Sequence, residues 1–131
     1  MLRRLFLSIF FSFTLTGCFA QNAKIENKSA ASDPYVWDFG QAKEGTVLKH
    51  DFILHNRSSR ALKVKDITTS CGCAASRAKK NLIPPGESTP ISVTFNTRGY
   101  SGATEQFIYV HTDSLDNPIL KFIIKADIVK K

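Results

Sequence analysis

The chain reads as an all-β protein, an antiparallel β-sandwich of about seven strands, and three observations point there. Short runs of alternating apolar and polar residues succeed one another from Pro34 to Val129, turn residues separate them, and no stretch of that region carries a 3.6-residue apolar period. A strand that buries one face needs a second layer, so two stacked sheets are the simplest way to close a core in roughly 95 residues. At 131 residues, 43% of them hydrophobic, the chain has material for one core and not for two.

In "YVWDFG" Trp37 and Phe39 share a face of the first strand, which Gly40 is expected to end. Leu48, His50, Phe52 and Leu54 alternate along a second strand, and "NRSSR", Asn56 to Arg60, supplies a turn. Leu62 and Val64 begin a third, but Ile67 has the opposite parity, which predicts a bulge near Asp66. "NLIPPGESTP" predicts an unpaired connection, because Pro84, Pro85 and Pro90 lack N–H donors and Gly86 favours a turn. Ile91, Val93 and Phe95 alternate in the next strand, and "RGYSG", Arg98 to Gly102, reads as a hairpin. "TEQFIYVHT" is apolar on both faces, Phe107 and Tyr109 against Ile108 and Val110, which places it centrally. "SLDNP" turns the chain, and Leu120, Phe122, Ile124, Ala126 and Ile128 share one face of the last strand.

The N-terminus belongs to no strand. Arg3 and Arg4 precede the apolar run Leu5 to Leu15, which is short of the roughly 20 residues a membrane-spanning helix needs and fits an export signal. Leu15-Thr16-Gly17-Cys18 resembles the lipobox of bacterial lipoproteins, in which the cysteine is acylated and becomes the new N-terminus. A rival cut after Ala20 would release an ordinary periplasmic or secreted protein. Phe19 stands where lipoproteins kept at the inner membrane commonly carry Asp, so the resemblance implies an outer-membrane lipoprotein facing the periplasm. The expected organisation is a signal peptide over 1–17, lipidated Cys18 and a polar tether over 18–33, and the sandwich over 34–131. More than one acyl chain at Cys18 gives stable anchoring.

The formal charge of +7 loses Arg3 and Arg4 with the signal peptide and becomes +5, spread without a basic stripe interleaved with aromatics. Nucleic-acid binding is therefore not expected. The chain has no G-x-S-x-G elbow, phosphate-cradling glycine loop or H-E-x-x-H, and Asp38, Glu44, Asp66, Glu87, Asp113 and Asp116 fall mostly at strand ends or turns, where capping is their ordinary work. No cofactor is expected and the chain is read as a non-enzyme.

Export makes the cysteines informative. With Cys18 lipidated, Cys71 and Cys73 are left as an even pair in an oxidising compartment. In an extended strand, residues two apart lie about 6.6 Å from each other, the upper limit for a disulfide, and Gly72 allows the chain to pucker and close that gap. Four readings stand: a local structural disulfide or buried thiol pair leads, followed by an exchange pair, a metal site and an interaction loop. A redox C-x-x-C at a helix N-terminus is missing, and Arg77, Lys79 and Lys80 read as a solvated loop. Zinc would need ligands beyond the two thiolates, and His50, His55 and His111 read as a strand residue and two strand-end surface residues. Copper(I), which two soft thiolates can hold, is the better metal alternative at Cys71 and Cys73.

Taken together, "WDFGQAKEG", "FILHN", "TSCGCA", "IPPGES", "VTFNTRGYSG" and "DNPILKFIIKADI" resemble a bacterial family catalogued as domain of unknown function 1573, over Tyr35 to Val129. The resemblance implies an immunoglobulin-like sandwich akin to PapD-type and major-sperm-protein-type domains. Ser58-Ser59 stand where the family often has a glycine-containing turn, and Ala74 where Thr is common. No activity comes with the resemblance. Two functional expectations follow: a lipid-anchored module that binds an envelope protein, an edge strand offering the means, or a thiol-exchange or copper(I) protein using Cys71 and Cys73. The number of copies in the functional unit is left open.

Overall fold

Eight strands and no helix make up residues 33–72 and 74–130, the part of the chain described by the computed structural model. They are β1 Val36–Lys43, β2 Val47–His55, β3 Leu62–Thr69, β4 Ala74–Ala78, β5 Leu82–Ile83, β6 Ser88–Asn96, β7 Gly102–Thr112 and β8 Ile119–Val129. One sheet has the order β1-β8-β7-β3-β5 and the other β2-β6-β4. The all-β sandwich is as expected, with two short strands, β4 and β5, added to the six that alternation revealed.

The two sheets meet over side chains from alternate positions. Phe52 and Leu54 of β2 and Ile91, Val93 and Phe95 of β6 face Ile108 and Val110 of β7 and Phe122 and Ile124 of β8, all essentially solvent-free. β7 is central, between β8 and β3, and Phe107 and Tyr109 lie half-buried on its outer face. The parity change in β3 is a register shift between Val64 and Asp66, as the sequence predicts.

Four expectations are corrected. Gly40 does not end β1: it sits inside the strand at φ 66°, where the pairing with β8 shifts register between Asp38 and Gln41. A glycine takes that left-handed conformation without a Cβ clash, so the strand bulges and continues. "NLIPPGESTP" is not wholly a connection, since Leu82 and Ile83 pair with β3 and Pro90 lies within β6. Pro90 is tolerated because its missing N–H falls on the β4 side, one residue past that strand's last pair, where only its carbonyl is used, by Lys79 N–H at 3.1 Å. "RGYSG" is a crossover between sheets, not a hairpin: β6 and β7 belong to different layers, and Tyr100 turns inward against Phe95 at 5.2 Å. Finally, β1 runs parallel to β8, so the sandwich is not antiparallel throughout.

The β1–β2 connection keeps β1 from pairing with the strand that follows it. After Lys43 the chain leaves the five-stranded sheet for the three-stranded one, which rules out a β1–β2 hairpin. Thr97, fully buried, holds that crossing: its Oγ1 lies 3.1 Å from the Lys43 carbonyl and 2.9 Å from that of Thr46, and accepts the Thr46 N–H at 2.9 Å.

Candidate functional site

A sandwich leaves strand edges open, and the four here are unequal. In the five-stranded sheet β5 is two residues long and β1 is interrupted at Gly40. In the three-stranded sheet β4 has five residues, while β2 has nine and pairs with β6 in one unbroken register from Val47–Asn96 to His55–Ser88. β2 has no neighbour on its other side among the described residues. At its two ends the bonds to β6 run through Thr46, whose carbonyl accepts from Thr97 N–H at 3.0 Å, and Asn56, whose N–H donates to Glu87 at 2.9 Å. Antiparallel ladders alternate, so the even positions of β2 bond inward to β6. Val47, Lys49, Asp51, Ile53 and His55 therefore turn their N–H and C=O groups outward, along about 30 Å of strand.

Behind this edge lies a row of rings. Phe122 touches Tyr35 at 5.2 Å and Phe52 at 4.8 Å between centroids, Phe52 meets His50 edge-on at 4.6 Å, and Trp37 stacks on His50 at 4.0 Å with 9° between planes. Phe39 closes the row edge-on to Trp37 and His50. Trp37 keeps 42% of its surface exposed, so its ring forms the lip of the flank. Burial lowers the pKa of His50 below its ordinary 6.5, against the smaller upward pull of Asp51. The imidazole is thus neutral at pH 7 and works as a ring in the stack.

One end of the sandwich carries a hollow of about 470 Å³ between the β2–β3 and β7–β8 loops, lined among others by Tyr35, Ile53, Arg57, Asp116 and Leu120. Asn56 builds its wall. Only 2% exposed, it donates from Nδ2 to the carbonyls of Arg60 and Ile83 at 2.8 and 2.9 Å and accepts from Ser58 N–H and Oγ at 3.0 and 2.7 Å. Read from sequence as a turn residue, Asn56 gave one signal of this: it falls two residues after Leu54, at the next position of the buried parity of β2.

The cysteine segment differs from the expected extended strand. β3 ends at Thr69 and β4, in the other sheet, begins at Ala74, whose N–H reaches back to the Cys71 carbonyl at 3.4 Å, so Cys71 lies in the crossing between sheets. Thr69 Oγ1 lies 2.8 Å from the carbonyl of Cys71 and 3.1 Å from that of Ala74, and Cys71 packs half-buried against the core. Cys18 and Cys73 lie outside the described residues. Arg77 is on β4 rather than in a loop. Among the described residues no group of three or more His, Cys, Asp or Glu side chains could hold a metal. The three histidines are apart: His50 is in the ring row, His55 Nδ1 meets Ser88 Oγ, and His111 Nε2 lies 3.2 Å from Thr68 Oγ1. Several acids cap as expected, Asp38 taking Gly40 N–H at 2.7 Å, Glu44 that of Gly99 at 3.1 Å and Asp113 that of Lys63 at 2.8 Å.

The chain belongs to the family described as protein of unknown function, DUF1573, whose model matches residues 31–128. No curated protein matches it. Among solved structures it is similar to a protein of unknown function from Porphyromonas gingivalis W83, at TM-score 0.64 and 19% identity over 71% of this chain and 44% of that one. It is also similar to the Vibrio cholerae VesB protease, at TM-score 0.60 and 16% identity over 70% of this chain and 30% of that one. The ASH/PapD-like domain 7 of human CEP192 matches at TM-score 0.57 and 18% identity, over 74% of this chain and 82% of that domain. This chain spans less than half the length of the first two. At these identities the likeness is one of fold, the immunoglobulin-like sandwich.

Proposed function

We propose that this DUF1573 protein is a non-enzymatic module, tethered to the periplasmic face of the outer membrane through Cys18, that binds a protein of the cell envelope by adding a strand to β2. The observation that carries the reading is the nine-residue β2 edge, in unbroken register with β6 and with a neighbour on one side only among the described residues. A strand laid there gains main-chain hydrogen bonds that are already aligned, which is how strand addition obtains affinity. The hollow and the cysteine turn offer no comparable row of aligned backbone groups.

Photo-crosslinking in intact envelopes tests it. A photoreactive residue at Lys49, on the open edge, should give a protein adduct, whereas one at Ser92, on β6 beneath the same outer face, should not. Equal labelling from both positions, or none from Lys49, would overturn the reading. Intact-mass analysis before and after alkylation checks the rest: acyl mass at Cys18 and resistance of Cys71 and Cys73 to alkylation are expected.

We assign the cysteine pair a structural role, pinning the crossing from β3 to β4. The setting of Cys71 favours this over exchange or copper(I) capture, because it lies half-buried against the core with its carbonyl held by Thr69 Oγ1, where a thiol is poorly accessible. Copper binding by the purified protein with one ion per chain would reverse the assignment.

A further inference from the structure

The open edge of β2 is complementary to itself. Its outward backbone groups and its solvent-facing side chains belong to the same residues, Val47, Lys49, Asp51, Ile53 and His55. An antiparallel strand added there must pair those odd positions with outward-facing positions of its own. When the added strand is a second β2, one central register sets Lys49 against Lys49 and another sets Asp51 against Asp51. Like charges directly opposite one another disfavour both. The register between them sets Lys49 against Asp51 and Asp51 against Lys49, with Val47 against Ile53 at each end and a two-fold axis passing through His50.

Within its own sheet β2 leaves these side chains without such partners. Lys49 faces Thr94 and Asp51 faces Ser92 across the ladder to β6, and among the described residues neither is in an ion pair. Val47 and Ile53 are 50% and 58% exposed, and each would be covered by the other in this register. We infer that β2 pairs with β2 of a second copy of this chain, joining two three-stranded sheets into one of six strands. The inference rests on the strand-addition reading above and names its partner. A single strand pair is a small contact and weak in free solution, but copies confined to one membrane meet at high effective concentration.

Charge reversal tests the pairing and its register together. Lys49→Asp leaves acids at both positions and Asp51→Lys leaves lysines at both, so each variant opposes like charges when paired with itself and opposite charges only when paired with the other. Two differently tagged copies of the full-length protein in dilute detergent report self-association by capture of one tag and quantitation of the other. Wild type should co-capture, either variant with itself should fall on the order of tenfold, and the mixture of the two should return to the wild-type level or above it. Unchanged thermal unfolding of each variant shows that the fold is retained. A mixture no better than the single variants, or no co-capture by wild type, overturns the inference. If wild type fails to self-capture while Lys49 crosslinks to a different envelope protein, self-pairing falls and strand addition stands; no adduct of either kind removes both.

Discussion

β1 and β2 lie on the same flank of the sandwich, share the ring row between them, and treat their outer edges in opposite ways. β1 breaks its register at Gly40, where Asp38 Oδ1 caps the glycine N–H, so its outward groups do not form a continuous template. β2 has no bulge, no proline and no positive-φ glycine over nine positions. Bulging is the usual protection of an edge against unwanted pairing, and this molecule applies it to one of two adjacent strands. The difference teaches where to look for a partner in a protein whose sequence carries no catalytic motif.

The contrast can be broken most severely at the residue both strands share. Phe122 is fully buried between Tyr35, which leads into β1, and Phe52 of β2. Phe122→Ala should cost about 3–5 kcal/mol by urea unfolding, since it empties the joint that holds both edges to the core. A smaller effect sharpens the comparison from the β1 side. Gly40 holds φ 66°, and a Cβ added there would meet nothing within 4 Å, so Gly40→Ala should cost about 1–2 kcal/mol through backbone strain alone, again read by urea unfolding. On the β2 side the smallest effect is a pH dependence. Because the folded pKa of His50 is lowered, the unfolded chain binds the proton first as pH falls, and stability declines from about pH 6.5 down to the folded pKa and then levels. His50→Phe, keeping the stack on Trp37, should flatten the thermal stability profile across that window.

Much of this was legible in the chain itself, for reasons that can be named. β2, β6, β7 and β8 bury alternate residues, so Leu48 to Leu54, Ile91 to Phe95 and Leu120 to Ile128 announce their inner faces by parity. β4 and β5 do not: the five residues of β4 are small or polar and carry little apolar contrast, and the two of β5, Leu82 and Ile83, are too few for a period to show. The choice of sheet is invisible too: a turn such as Arg98 to Gly102 looks the same whether it joins neighbours or crosses layers, and the inward packing of Tyr100 decides it. That β2 has a neighbour on one side only among the described residues emerges from strand order alone. Cys71 could be placed at a turn only once the Ala74 N–H bond to its carbonyl was known.

The parallel alignment of β1 with β8 has a mechanical side. Val36 lies beside Ile123 and Lys43 beside Val129, and Ile123 N–H still reaches the Tyr35 carbonyl at 2.8 Å, so the chain enters this pair at one end of the molecule and leaves it at the other. A pull applied through the segment before Val36 and resisted beyond Val129 runs along both strands at once and loads their cross-links in shear. Such a joint yields all together rather than peeling bond by bond, so the β1–β8 pair is built to bear tension along its strands.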